Sequence, residues 1–330
     1  MKKIKSESKR ITYIDTAKCI AIILMVLGHI LMFYRDNGNS HSQLLVIIYT
    51  FHVAAFFIFT GILFNTKKWM KEPAKKFILS RAKTLIIPYL FFDITMGFVN
   101  CILHKTLTLE GIINVILKTF SFNPNIGPNW FLITIFISNI IFYYFIKYHK
   151  EYFKYIALIP ILIISYNPLN TIDLIIFLSR GIIGFSFIYL GYTLKEYYLY
   201  NQNKRWDIII ISFVLLVSIA GWNGQIDLWS CTINNPIYMV IGGLIGTYLI
   251  IGIAKHIDNK LFQYIGQNTI IILATHSILI KPLHTLFKLE YSNKSLVFLL
   301  IMIIIIELPI IYICNKYFPK LVGKYKEKKR

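Results

Sequence analysis

Ten apolar stretches of about 15 to 22 residues recur along the chain, separated by polar or charged breaks. Each stretch is a candidate transmembrane helix, because about 20 consecutive apolar residues span the hydrocarbon core of a bilayer. The pattern therefore predicts an all-α, polytopic membrane protein. We place the helices at residues 13–34, 44–64, 85–103, 130–146, 152–166, 172–194, 206–221, 236–254, 261–280 and 295–314, the fifth being short.

The composition supports one membrane-embedded domain. Of the 330 residues, 56% are hydrophobic, and the mean hydropathy is +0.62, which excludes an ordinary soluble domain. No segment outside the candidate helices is long enough to bury a core of its own. We therefore assign residues 1–330 to a single domain, with basic tails at 1–12 and 315–330.

Lysine and arginine are distributed unevenly between the two sides of the predicted bundle. With the N-terminus in the cytoplasm, the inner segments hold 27 of the 35 basic residues and the outer segments hold 6. Because positive loops stay on the cytoplasmic side, both termini are predicted to be cytoplasmic. The net charge of +20 then faces anionic lipid, and we do not interpret it as nucleic-acid binding.

The cysteines give no sign of a metal site. Cys19, Cys101, Cys231 and Cys314 are widely spaced, without a CxxC pair or a histidine at metal-ligand spacing. This pattern indicates neither zinc nor a disulfide framework. No metal is therefore predicted.

The first helix carries Asp15, Lys18 and His29 within an otherwise apolar stretch. At about 100° per residue, Lys18 and His29 differ by about 20° in direction, and Asp15 lies within about 60° of both. A charge at the centre of a membrane helix costs about 2.5 to 3.5 kcal/mol, so such residues face a protein interior or a wet cavity. The stripe predicts a catalytic helix. The alternative is an Asp15–Lys18 ion pair with a separately satisfied histidine.

Further ionisable residues lie at membrane depth in other helices. Individually each has a structural explanation: Arg180 could pair with Asp93 or Glu307, and an intramembrane histidine commonly donates to a backbone carbonyl. Together they predict a polar cavity, which suits an enzyme or a transporter. The residues are His52, Asp93, Arg180, His276 and Glu307.

Two loops add candidate binding residues. The outer loop at 104–129 contains an apolar stretch and then a breaker-rich run, and we expect it to lie along the interface or to be re-entrant. Trp130 follows this loop. It either belongs to an interfacial aromatic belt or stacks on a sugar ring. The inner loop at 65–84 has seven basic residues, opposed only by Glu72. It could meet phosphate, with Arg81 and Lys83 at the entry to the third helix.

Five segments in order carry recognisable motifs. They are RITYIDTAKCIAIILMVLGHI, FHVAAFFIFTGILF, FILSRAKTLIIPYLFF, PNWFLITIF and GQNTIIILATHSIL. Together they resemble the acyltransferase 3 family of membrane acyltransferases, and within it the fucose 4-O-acetylase-like group of sugar O-acetyltransferases. The resemblance spans nearly the entire chain.

The chain departs from the family pattern at three positions. Lys18 stands where many members have arginine, and Thr60 replaces the usual serine. The family often has two arginines three residues apart before the third helix; here Arg81 is followed by Thr84. Lys83 would have to supply the missing charge.

The resemblance implies transfer of an acyl group, commonly acetyl, from cytosolic acetyl-CoA to a hydroxyl of an extracytoplasmic or lipid-linked saccharide. It places such a protein in a bacterial plasma or inner membrane, acting in polysaccharide modification at the cell envelope. A histidine imidazole, with an unperturbed pKa of about 6.5, can accept the hydroxyl proton or carry the acyl group itself. The site residues implied are catalytic His29, Lys18 and Asp15, donor-binding Arg81 and Lys83, and His52, Trp130, Arg180, His276 and Glu307 at the acceptor or cavity.

A second hypothesis is a transporter or flippase for a sugar or a lipid-linked glycan. It would use His29, Asp93, Arg180 and Glu307 as a proton or substrate path. The absence of a visible internal repeat counts against it. Binding of acyl-CoA at the basic inner loop would distinguish the enzyme from the transporter. The sequence leaves the acyl group, the acceptor glycan and the oligomeric state open.

Overall fold

The computed structural model describes residues 10–38, 42–148, 173–200 and 205–325. Within these ranges, nine helices are long and apolar enough to cross a membrane. The only extended pairing in the described part is an isolated bridge between Asp227 and Thr232. The all-α, polytopic class is confirmed. The predicted helix at 152–166 lies outside the described residues.

The helices follow the predicted apolar stretches closely, with two differences. The helix predicted to begin at residue 85 is continuous from Ala74 to Leu103, with a π-helical turn at Ala82–Ile86. The helix predicted at 261–280 is two helices. In chain order the elements are α1 (Thr12–Asp36), α2 (Gln43–Ile62), α3 (Thr66–Trp69), α4 (Ala74–Arg81), α5 (Ile87–Leu103), α6 (Leu109–Phe120), α7 (Trp130–Tyr148), α8 (Asp173–Thr193), α9 (Lys195–Tyr200), α10 (Trp206–Asn223), α11 (Pro236–Ile257), α12 (Lys260–Gly266), α13 (Thr269–Leu286) and α14 (Asn293–Tyr317).

Helix α2 lies at the centre of the bundle and packs against α1, α8 and α11. Glycines let its backbone approach α8 closely. A Cβ on Gly61 would lie 1.9 Å from the Ile188 carbonyl oxygen, and a Cβ on Gly191 would lie 2.2 Å from the Ile58 carbonyl oxygen. Small residues at such contacts give membrane helices their van der Waals packing. These close contacts fix the position of α2 relative to α8.

A similar contact fixes the start of α1. A Cβ on Gly266, the last residue of α12, would lie 1.7 Å from the Asp15 carbonyl oxygen. Only glycine permits this approach. Because α1 is held here, the Asp15 and Lys18 side chains have a defined place at the end of the bundle where α1 begins and α14 ends. We call this the basic end. The distribution of lysine and arginine predicts that it is cytoplasmic.

The outer loop predicted at 104–129 contains a helix, α6, and is anchored by the Asp93 carboxylate. Asp93 is fully buried. It accepts hydrogen bonds from the Thr119 hydroxyl at 2.8 Å, the side-chain amides of Asn125 at 2.9 Å and Asn129 at 3.0 Å, and the backbone N–H groups of Asn125 and Ile126 at 3.1 and 3.3 Å. The loop leading into α7 is thereby tied to α5.

The suggested pairing of Arg180 with Asp93 or Glu307 is wrong. Asp93 is occupied by the loop, and Glu307 accepts the Thr275 hydroxyl at 2.7 Å. Arg180 instead lies against two tryptophan rings. Uncharged donors thus satisfy both buried carboxylates, which accords with the rule that buried polar groups are hydrogen-bonded.

We expect Asp93→Ala to lower the free energy of unfolding by about 3 kcal/mol or more, because several donors to one carboxylate are left unpaired in the interior. Thermal unfolding in detergent checks this. Glu110→Ala is the control, since it removes an exposed carboxylate from α6. Equal melting temperatures for the two variants would contradict the anchoring role.

Candidate functional site

Two cavities lie between α1, α2, α7 and α13. One, of about 390 Å³, is at the basic end and is lined by Arg10, Lys18, Arg81 and Lys324 among others. The second, of about 240 Å³, lies further along the same helices and is lined by His29. We call them the basic-end cavity and the His29 cavity. The polar residues of α1 therefore line two different cavities, Asp15 and Lys18 the basic-end cavity and His29 the other.

The basic-end cavity carries an excess of positive charge. Asp15 is the single carboxylate among its lining residues. Its Oδ2 accepts the Arg10 Nε at 2.6 Å, and the Lys18 Nζ lies 3.5 Å from its Oδ1. The Asp15–Lys18 ion pair considered from the sequence is thus present. The cavity therefore has four cationic side chains and one carboxylate, a composition that attracts anions.

Arg81 offers this cavity an unused donor. Its guanidinium lies 5.2 Å from the Phe77 ring centroid and 5.8 Å from that of Trp69. Its Nε is buried and has no hydrogen-bond partner among the described residues. A buried guanidinium donor without a partner is costly. It favours a ligand with anionic oxygens at this place.

Lys83, the other predicted donor-binding residue, is placed elsewhere. It lines a separate surface cavity together with Lys75 and Lys76, and the basic-end cavity is lined by Thr84 at this turn. Lys83 therefore does not bring its charge into the cavity that holds Arg81. Its role stays a prediction from the family resemblance.

Lys324 brings a further positive charge to this cavity, and sequence reasoning missed it. The Lys324 Nζ donates to the Asn268 Oδ1 at 2.6 Å, and the same oxygen accepts the Asn315 Nδ2 at 2.8 Å. Burial, and then the nearby Arg10 charge, lower the pKa of Lys324. In the sequence it is one of seven basic residues of the C-terminal tail, and nothing there distinguishes it. We call residues 318–325 the C-terminal segment.

Two histidines near His29 satisfy backbone carbonyls. The His52 Nδ1 donates to the Ile48 carbonyl at 2.8 Å, and the His276 Nδ1 donates to the Ile272 carbonyl at 2.7 Å. A neutral imidazole that donates from Nδ1 has an acceptor at Nε2. His52 lines the His29 cavity. His276 is completely buried.

His29 differs from both, because none of the described residues hydrogen-bonds to its ring. The ring centroid lies 5.1 Å from that of His276, with an angle of 54° between the planes. The side chain is half-buried and lines the cavity. Both ring nitrogens of His29 are therefore open to a ligand, and the one that carries the lone pair can act as a general base or nucleophile.

Two tryptophans and an arginine lie beside the His29 cavity. Trp130 and Trp229 line it, with ring centroids 5.9 Å apart. The Arg180 guanidinium lies 5.3 Å from the Trp130 centroid and 4.1 Å from that of Trp229, and it donates to the Trp229 carbonyl. The structure thus brings two predicted residues, Trp130 and Arg180, together.

Sequence reasoning missed Trp229 and Asp227, which come from the turn between α10 and α11. The Asp227 carboxylate accepts the Trp229 N–H at 2.9 Å and the Ser230 hydroxyl at 3.0 Å. Both residues line the His29 cavity. The turn is held by backbone pairing of Asp227 with Thr232, a contact that no motif in the sequence signals.

Glu307 lies outside the lining of both cavities. It is fully buried, and the Thr275 hydroxyl that it accepts precedes His276 in α13. The carboxylate therefore joins α14 to α13 next to the histidine that contacts His29. It can affect the site only through these neighbours.

Comparison with known proteins gives a match to one family. The acyltransferase domain of that family, acyltransferase 3, matches residues 11–314. The chain belongs to the acyltransferase 3 family. Neither a curated protein nor a solved structure matches it. The matched region includes His29 and Arg81 and ends before the C-terminal segment.

Family membership makes this protein a membrane acyltransferase with an acyl donor and an acceptor. The matched region contains both histidines that contact each other, His29 and His276. It contains two of the four cations of the basic-end cavity, Lys18 and Arg81, since Arg10 precedes the match by one residue and Lys324 follows it.

We expect Asn268→Ala to loosen the C-terminal segment, because its side-chain oxygen accepts bonds from Asn315 and Lys324. Amide hydrogen exchange of residues 318–325 should become about tenfold faster, as loss of a hydrogen bond to a charged group implies. Asn259→Ala is the matched control; its side chain caps α12 by accepting the Phe262 N–H. Unchanged exchange in Asn268→Ala would contradict this contact.

Proposed function

We propose that this acyltransferase 3 protein transfers an acyl group, most simply acetyl, from cytosolic acyl-CoA to a hydroxyl of an extracytoplasmic or lipid-linked saccharide. Its single domain, residues 1–330, would act in a bacterial plasma or inner membrane. The observation that carries the proposal is His29, a histidine with both nitrogens available, in a cavity on the far side of a cationic chamber. The motif resemblance to sugar O-acetyltransferases supports the saccharide acceptor.

The basic-end cavity suits the phosphates of coenzyme A. Arginine presents a fork of donors to phosphate, and lysine acts as a point charge. Arg81 has a buried Nε without a partner, and Lys324 supplies the second charge that the family motif lacks at Thr84. Since this end is predicted to be cytoplasmic, it faces the compartment that holds acyl-CoA.

The His29 cavity suits the acceptor. The faces of Trp130 and Trp229 offer apolar surface with a negative quadrupole, against which the C–H groups of a sugar ring can pack. The Arg180 guanidinium adds donors for hydroxyl or acidic groups of a glycan. Acceptor and donor would then approach His29 from opposite ends of the bundle.

The chemistry can follow either of two routes. In one, His29 accepts the proton of the acceptor hydroxyl while the oxygen attacks the thioester carbonyl carbon; the C–S bond breaks, and the coenzyme A thiolate leaves and is protonated. In the other, a His29 nitrogen attacks first, forms an acyl-imidazole and releases coenzyme A before the hydroxyl takes the acyl group. Both routes need a lone pair on His29 beside the thioester.

The remaining predicted residues would support these steps from a distance. His276 presents an Nε2 acceptor beside His29, which can hold a protonated His29 nitrogen in place. Lys18 lies about 16 Å and Asp15 about 21 Å along α1 from His29, so they would line the donor passage without contacting the reacting atoms. His52 would border the acceptor.

We expect His29→Ala to lower acyl-CoA turnover by about 10² to 10⁴-fold, the usual contribution of general acid–base catalysis, while binding of coenzyme A persists. Purified protein in lipid nanodiscs, supplied with acetyl-CoA and a mixture of cell-envelope glycans, tests this. His104→Ala removes a histidine at the exposed end of α5 and serves as control.

Two results would contradict the proposal, the first its mechanism and the second the enzymatic function. Full turnover by His29→Ala would remove His29 from the mechanism. Wild-type protein that neither binds nor consumes any acyl-CoA tested would leave the transporter or flippase as the better hypothesis. The family match to an acyltransferase domain favours the enzyme over that alternative.

The lowered pKa of Lys324 predicts a pH-dependent donor affinity. Because the ammonium loses its proton at a lower pH than an exposed lysine, the KM for acyl-CoA should rise as the pH becomes alkaline. Lys324→Arg should reduce that rise, since arginine stays protonated.

Lys324→Gln should raise the KM for acyl-CoA at neutral pH by about tenfold. Steady-state kinetics measured as a function of pH test both effects. Lys320→Gln, an exposed neighbour, should change neither; equal effects of the two variants would contradict a donor contact of Lys324.

A further inference from the structure

The two cavities share three lining residues, Phe56, Phe131 and Leu273. No other described residue lines both of them. The three side chains therefore form the partition between the basic-end cavity and the His29 cavity. All three are apolar.

The partition lies at one level across four helices. On α1, Ile22 lines the basic-end cavity and Met25, one turn later, lines the His29 cavity. On α2, α7 and α13 the lining passes from one cavity to the other at a single residue of each helix: Phe56, Phe131 and Leu273. The barrier is thus about one helical turn thick.

Two of the three partition side chains are in contact, and the third, Leu273, is buried. The ring centroids of Phe56 and Phe131 lie 5.9 Å apart, and Phe131 is also held by Phe57, at 5.1 Å. Phe131 and Leu273 are both buried. Among the described residues that line both cavities, none carries a polar side chain. Such a layer opposes the passage of water and ions.

The partition separates the groups that the proposed function needs together. His29 lies four residues beyond Met25, about 6 Å further from the basic end, whereas the cations suited to coenzyme A line the chamber on the other side. If the proposed function holds, the acyl thioester must cross this layer, because its phosphates stay with Arg81 and Lys324 while its carbonyl reaches His29.

We propose that Phe56, Phe131 and Leu273 form a constriction that the acyl thioester crosses on its way to His29, and that its width restricts the donor to slender acyl groups. A linear acyl chain is no wider than the pantetheine arm that lies in the same passage, whereas a branched or aromatic acyl group is wider, and apolar sites distinguish such differences by about 10- to 200-fold per carbon. A narrow, apolar crossing therefore rejects wide acyl groups, and it closes the path to water when no donor is present.

The first test compares acetyl-, isobutyryl- and benzoyl-CoA as donors for the wild type, Leu273→Ala and Phe56→Ala. We expect kcat/KM to fall with the width of the acyl group in the wild type. In the variants, the benzoyl-to-acetyl ratio should rise by about tenfold or more. Leu215→Ala and Phe213→Ala are matched controls, since they shorten the same side chains at exposed positions of α10. An unchanged ratio in variants that still use acetyl-CoA would overturn the proposal.

A second test does not depend on activity. In a variant without the four native cysteines, Met32→Cys places a thiol in the His29 cavity and Leu63→Cys places one in the basic-end cavity. A charged, membrane-impermeant thiol reagent applied at the basic end should label the Leu63 position and spare the Met32 position. Adding Leu273→Ala should expose the Met32 position to that reagent.

The two tests separate the constriction from the function. Labelling of the Met32 position from the basic end without any further substitution would overturn the constriction, whether or not the protein is active. A wild-type protein that consumes no acyl-CoA yet shows the expected labelling would contradict the proposed function and leave the barrier between the cavities established.

Discussion

The hydrogen bonds that the buried Asp93 carboxylate accepts determine the shape of the His29 cavity. They hold Asn125, Ile126 and Asn129, and the next residues along the chain are Trp130 and Phe131, which line that cavity. A negative charge in a low-dielectric interior is stable only when donors surround it, so the carboxylate and the loop require one another. Asp93 of α5 thereby positions Trp130 beside the His29 cavity and Phe131 in the partition.

The first helix joins the two halves of the site. Its Asp15 and Lys18 belong to the basic-end cavity and its His29 belongs to the other, so one straight element spans both chambers and the barrier between them. Helical geometry alone makes this possible, because residues eleven positions apart return to nearly the same direction. A rigid helix also keeps the distance between Lys18 and His29 constant. In the proposed reaction the acyl group has to cover that distance, and the pantetheine arm of coenzyme A is the flexible part able to do so.

The features that could be predicted from the sequence are those that depend on one helix at a time. The membrane class, most helix bounds and the stripe of Asp15, Lys18 and His29 depend on hydropathy and helical period, which are local properties. The partners of Asp93, the approach of Lys324 to Asn268, and the turn that brings Asp227 and Trp229 to His29 depend on contacts between distant segments. Lys83 illustrates the difference. Its place in a motif predicts donor binding, whereas the fold places it in another surface cavity, and Lys324 of the C-terminal segment lines the basic-end cavity instead.

The three histidines of the site show how tertiary contacts separate a structural role from a chemical one. In an apolar interior a histidine gains most by donating to a carbonyl of its own helix, and His52 and His276 both do so. His29 lacks that bond and faces a cavity, so its imidazole is polar, half-buried and without compensation from the protein. Water can satisfy a half-buried ring, but a histidine that faces a cavity without a protein partner is also placed to meet a ligand. This lack of a protein partner, more than the charge of the stripe, distinguishes His29 from His52 and His276 as the histidine that we propose for the chemistry.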